Sequence, residues 1–171
     1  MGERTNEIDE IVLGASGAQY GERYRADFLE LFNLYVESAD KVTARRNSAN
    51  AFFLGINTAL LGSIGYLKLD SDSLIVMFAL VGVITCFAWA RLINSYKTLN
   101  ASKFAVIQAM ERHLPVAAYT AEWAYQKSAP KKHVALSDWE KYTPRAFFLL
   151  HAFAIAAKLY DLINETGGVL S

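Results

Sequence analysis

The residues able to do chemistry in this chain are few and scattered. Its three histidines, His113, His133 and His151, stand far apart and have no partner at i+3 or i+4, so the helical spacing that grips a metal is missing. The single cysteine, Cys86, is embedded in apolar sequence, where a thiol stays protonated and packs as a small hydrophobe. One cysteine also excludes an intramolecular disulfide. Neither G-x-S-x-G nor H-E-x-x-H occurs. Glu111 and Glu122 flank Pro115 and invite two readings: acid–base work across the turn, or an ion pair of Glu111 with Arg112 or Lys103, which the sequence favours. Trp123, Trp139, Tyr125 and Tyr142 read as packing residues rather than a ligand box. No catalytic residue, metal site or cofactor is expected, and the chain does not read as an enzyme. Seventeen basic residues against seventeen acidic ones leave no excess for nucleic acid.

The informative pattern is where charge is missing. Between Asn50 and Arg91 only Lys68, Asp70 and Asp72 are charged. Ala51–Leu67 and Leu74–Ala90 are each 17 residues without a charge. As helices they would be about 25 Å long, the short end of a membrane crossing, and flanking residues extend both. A soluble helix is apolar on every face only when wholly enclosed, and the rest of the chain is too small to enclose two. Hydrophobic residues at 53% and a mean hydropathy of +0.16 suit a chain part membrane and part water-soluble. Neither run reads as a signal peptide, since both begin far from Met1.

The expected fold is therefore all-α: a membrane protein built on a two-transmembrane helical hairpin, with cytoplasmic helices from both termini. Residues 1–18 read as a flexible segment and 19–47 as a cytoplasmic helix leading into the membrane. Residues 48–93 form the hairpin, with spans at about 51–67 and 74–93 and an outside turn at 68–73. Residues 94–171 read as a cytoplasmic helical domain. Lys41, Arg45 and Arg46 before the hairpin and Arg91, Lys97 and Lys103 after it place both termini in the cytoplasm.

In lipid, small residues mark the faces where helices meet. Ala51, Gly55, Ala59 and Ser63 recur every four residues in the first span, and Gly82, Cys86 and Ala90 in the second. These are the expected packing and oligomer contacts. Asn57 and Thr58 are the strongly polar groups deep in the first span. An amide there needs a partner. Two readings stay open: a contact between helices, or the lining of a pore.

Outside the hairpin, Tyr20, Tyr24, Phe28, Leu31, Phe32 and Tyr35 form an aromatic-rich stripe at helical spacing. Arg91–His113 continues the second span until Pro115. A short helix is expected at Tyr119–Lys127, and Thr143-Pro144 reads as the start of a last helix, Arg145–Asn164. Its apolar stretch Ala146–Ala157 is twelve residues, too short to cross a bilayer. It is either the core helix of the cytoplasmic domain or an interfacial helix.

The stretch Tyr96–Trp123, with Asn100, Lys103, Phe104, Glu111, Pro115, Glu122 and Trp123 as its motif positions, resembles the RipA-like family of small bacterial inner-membrane proteins, named as required for intracellular proliferation. The resemblance implies a multi-pass protein of the bacterial cytoplasmic membrane, a large homo-oligomer of octameric size, and a role in adaptation or intracellular growth. It carries no catalytic residues. The lipid bilayer and further copies of the chain are the implied partners. Three functions are compatible with the residues: a self-associating structural or regulatory protein, an oligomeric pore, or a membrane-tethered ligand-sensing effector.

Overall fold

The computed structural model describes residues 16–66, 72–128 and 136–168, together with Val12 and Gly14. Among these residues every regular element is a helix and no strand occurs, so the chain is all-α. A single helical turn, α1 (Gly17–Tyr20), is followed by α2 (Tyr24–Tyr66), α3 (Asp72–Glu111), α4 (Ala118–Ser128) and α5 (Leu136–Gly168). Most of the 1–18 segment, residues 67–71 of the expected turn, and residues 129–135 lie outside the described residues.

Sequence explains the boundaries. Gly21 sits at φ 96°, a left-handed conformation that separates α1 from α2 and that a side chain would strain. No proline follows within the helix and no glycine before Gly55, so residues 24–66 form one element of 43 residues, and its apolar second half is not among the stretches that reach membrane-crossing hydropathy. The break after Glu111 precedes Leu114-Pro115, where proline cannot continue a helix. Pro144 behaves differently from its reading as a helix start. It lies inside α5 and is fully buried. Proline forfeits one backbone hydrogen bond but needs no disruption where neighbouring helices enclose it. The expected last helix, Arg145–Asn164, is thus part of a longer helix of 33 residues.

The chain folds as two compact units, Met1–Arg45 with Tyr96–His133, and Arg46–Ser95 with Val134–Ser171. Residues 94–171, read from sequence as one domain, divide between them. In the first unit Ala39, Val42, Ile107, Ala109 and Met110 form the core. Tyr20 and Tyr24 meet edge to face at 6.0 Å, Tyr24 stacks on Phe28 at 6.0 Å, and Phe28 and His113 meet edge to face at 6.2 Å. Leu31 turns outward from the expected stripe and is exposed.

In the second unit three helices share narrow seams. On α3 the buried positions are Ile75, Ala79, Gly82, Cys86, Trp89 and Ile93. On α5 a run of covered positions comprises Glu140, Pro144, Phe147, His151, Ala154 and Lys158, and Thr143, Ala152 and Ile155 beside it are half-buried too. Both series alternate steps of four and three, the spacing of left-handed knobs-into-holes packing. Within the protomer Trp89 takes the seam, and Ala90 falls outside it. Among the described residues, the stretches long and apolar enough to cross a membrane lie in Asp72–Glu111 and Glu140–Glu165.

Candidate functional site

The centre of the second unit is a polar node in apolar surroundings. Asn57 and His151 are 0% exposed and Cys86 is 2% exposed. Asn57 donates from Nδ2 to the Phe53 carbonyl one turn earlier at 2.8 Å. Its Oδ1 faces three groups: Thr85 Oγ1 at 3.2 Å, the Cys86 thiol at 3.1 Å and His151 Nε2 at 3.2 Å. One amide oxygen therefore joins α2 to both α3 and α5. The threonine hydroxyl has a single proton and an alternative acceptor, the Gly82 carbonyl at 2.9 Å. His151 Nδ1 is buried without a partner. Because Nε2 faces an acceptor, the ring carries its proton there and leaves Nδ1 as a bare lone pair.

Gly82 makes room for the ring. A Cβ at this position would land on His151 Cε1, Nδ1 and Nε2. Glycine is required because the imidazole of α5 lies against the backbone of α3.

Cysteine, histidine and asparagine are the residue types of one group of hydrolases, but this geometry does not perform that chemistry. There the imidazole takes the thiol proton while its other nitrogen is oriented by the amide. Here thiol and imidazole both turn to the same amide oxygen, and the set is sealed from solvent. The node holds helices together.

Three further polar contacts flank it. Trp89 Nε1 donates to Asn50 Oδ1 at 2.9 Å, and its ring stacks on Phe53 at 6.0 Å and tilts against Phe147 at 6.3 Å. Arg46 faces Glu140 at 3.6 Å, and Lys158 pairs with Asp72 at 2.8 Å.

The expected packing residues separate by face. Gly82 and Cys86 are buried within the protomer, and Ser63 is half-buried. Ala51, Gly55 and Ala59 are exposed, as are Thr58 and Ala90. A side chain built at Gly55 would meet nothing within 4 Å. His151 was the missed residue. The signal was a lone imidazole in an apolar stretch, which needs a buried partner as Asn57 does.

In the first unit Glu111 is 1% exposed. Its Oε1 accepts from the Tyr119 amide at 2.8 Å, and its Oε2 from the Thr120 amide at 2.9 Å and the Thr120 hydroxyl at 3.1 Å. A carboxylate on the free N–H groups of a helix start is favourable twice, through hydrogen bonds and through the helix dipole. Glu111 is thus a cap for α4 and does not meet Glu122, which accepts from Gln126 at 3.4 Å. Lys103 donates to Ser38 at 2.7 Å and lies 4.8 Å from the centre of the Tyr35 ring. Phe104 packs on Tyr119 at 5.9 Å. Asn100 is half-buried with Oδ1 unpartnered, and Pro115 is exposed. Trp123 is exposed beneath Lys127. Tyr125 and Tyr142 are exposed too, so these three do not pack in the core of the protomer as expected, and the side chain of Trp139 lies outside the described residues. Replacing Glu111 with alanine is expected to cost about 1–2 kcal/mol. It should also speed hydrogen exchange at the Tyr119 and Thr120 amides, while Glu111→Gln retains part of the protection.

A family model for an octameric membrane protein family matches residues 29–160. The chain belongs to the octameric membrane protein family (8xMP). The match begins five residues into α2 and ends eight residues before the end of α5, so every residue of the node lies within the 8xMP region. The family name gives a self-associating membrane protein. No curated protein and no solved structure matches the chain.

Proposed function

We propose that this chain is a self-associating protein of the bacterial cytoplasmic membrane with a structural or regulatory role rather than a catalytic one. The carrying observation is the division of α2 into two faces. Asn57 is turned inward and satisfied inside the protomer, while Ala51, Gly55 and Ala59 are left uncovered on the outside. Small residues let helix backbones approach closely in lipid, and that stripe is where neighbouring protomers pack. The basic residues at the Arg46 end, including Arg45, put the start of the first span on the cytoplasmic side. The resemblance of Tyr96–Trp123 to the RipA-like proteins supports a role in adaptation or intracellular growth.

Native mass spectrometry of the detergent-purified protein tests this reading. The parent chain is expected as an octamer, and Gly55→Leu is expected to shift most of it to smaller species without unfolding the protomer. A monomeric parent chain would contradict the proposal.

A pore is the second reading, favoured by Thr58, which shares the outward face. A pore lined by Asn57 is not compatible with its enclosure. Liposome flux that falls in Thr58→Leu would support the pore, and absence of flux would end it.

A further inference from the structure

We infer that Arg91 and Arg145 seat the phosphates of anionic phospholipids, so that the protein selects negatively charged lipid at the Arg46 end of its second unit. The inference rests on the membrane reading above and adds the class of lipid.

Packing contacts within the unit place the two arginines at one depth. Trp89 on α3 meets Phe147 on α5. Asp72, at the start of α3, pairs with Lys158, late in α5, so the two helices run antiparallel. Arg91 lies two residues beyond Trp89 on α3, and Arg145 lies two residues before Phe147 on α5. Both steps lead toward the same end. From Arg91 to Asp72 the rise along α3 is about 29 Å, close to the thickness of a hydrocarbon core. Both guanidinium groups therefore stand at headgroup depth.

The cations of the seam have acidic partners: Arg46 faces Glu140, and Lys158 faces Asp72. Arg91 and Arg145 are exposed, and no carboxylate among the described residues pairs with either. Each lies over an aromatic ring of its own helix, Arg91 at 5.1 Å from the centre of Phe87 and Arg145 at 5.8 Å from that of Tyr142. A ring takes up the flat face of a guanidinium and leaves the N–H groups around its edge free. That planar edge matches two oxygens of a phosphodiester. Room for the acyl chains is adjacent. Leu80, Ile84 and Phe87 share the outward face of Arg91, and Leu149 and Phe153 that of Arg145; all are exposed.

Charge selects the class of lipid. Residues 46–50, 89–95 and 140–147 carry Arg46, Arg91, Lys141 and Arg145 against Glu140 alone. A zwitterionic lipid brings its own ammonium group to this surplus, whereas an anionic lipid does not. A basic residue near the membrane surface favours anionic lipid by about fivefold.

Lipid titration of the delipidated full chain in detergent tests the inference. Native mass spectrometry counts the phosphatidylglycerol or phosphatidylcholine molecules held by the protein. The parent chain is expected to take its first phosphatidylglycerol about fivefold more tightly than its first phosphatidylcholine. Arg91→Gln with Arg145→Gln should bring the two lipids level, each single glutamine variant should go part of the way, and Arg91→Lys with Arg145→Lys should keep part of the preference. Lys41→Gln, which removes an exposed lysine already paired with Glu37, should leave it unchanged. Equal binding of the two lipids by the parent chain would overturn the inference, as would a preference that survives the paired glutamine variant. The same spectra report the number of copies, so an intact oligomer without lipid preference refutes the lipid site and leaves the assembly proposal standing.

Discussion

Gly82→Leu is expected to be among the most damaging single substitutions in the chain, lowering stability by about 3 kcal/mol, the upper end for overpacking. The reason is geometric. The His151 ring occupies the space that any side chain at position 82 would need. The ring cannot swing away cheaply, because it is buried and its Nε2 is held at Asn57. Even Gly82→Ala is expected to destabilise, although alanine gains about 1 kcal/mol in helix propensity over glycine. The overlap with three ring atoms outweighs that gain. In a His151→Ala background the same Gly82→Ala change should become neutral or stabilising, since only the propensity difference remains. Thermal unfolding of the four proteins in one detergent checks this. A Gly82→Ala penalty that persists without the imidazole would mean that α5 does not lie where the structure has it.

Asn57→Ala is expected to cost about 2–4 kcal/mol, combining a cavity with an orphaned polar group. A hydrogen bond between membrane helices is by itself worth only about 1 kcal/mol. The larger share comes from what the change leaves behind. Thr85 retains the Gly82 carbonyl as acceptor, but His151 loses the partner of Nε2 while Nδ1 already has none. Asn57→Leu removes the cavity component and should fall at the lower end of the range. In liposomes neither variant should alter flux, because the residue is enclosed within the protomer. A change in flux at unchanged stability would return Asn57 to a pore.

Much of the fold was legible because local rules decided it. The absence of proline and glycine between Gly21 and the apolar run from Ala51 pointed to one long first helix, Leu114-Pro115 marked the end of α3, and the short helix after Pro115 lies within a residue of its expected bounds at each end. What local rules do not contain is which helix packs on which. The apolar stretch of α5 suited the core helix of a cytoplasmic domain or an interfacial helix, and it is the partnership of His151 with Asn57 that sets it against α2. Small residues were read at a repeat of four, whereas packed helices wind at three and a half. Within the protomer that difference takes Ala90 off the seam and puts Trp89 on it. Ala51, Gly55 and Ala59 fall on the outer face of α2 while Asn57 falls on the inner one. Glu111 was singled out correctly but for the wrong reason. Its carboxylate accepts from the amide groups at the start of α4, and a helix start has no charged residue to reveal it in the sequence.

The double-mutant cycle between Asn57 and His151 tests most directly whether α2 and α5 share one membrane unit. Asn57→Ala, His151→Ala and the double variant are unfolded in the same detergent. The account predicts a coupling of about 1 kcal/mol or more, because once either partner is gone the second loss costs little. Strictly additive losses, within about 0.3–0.5 kcal/mol, would show that the two residues do not touch and would contradict the node.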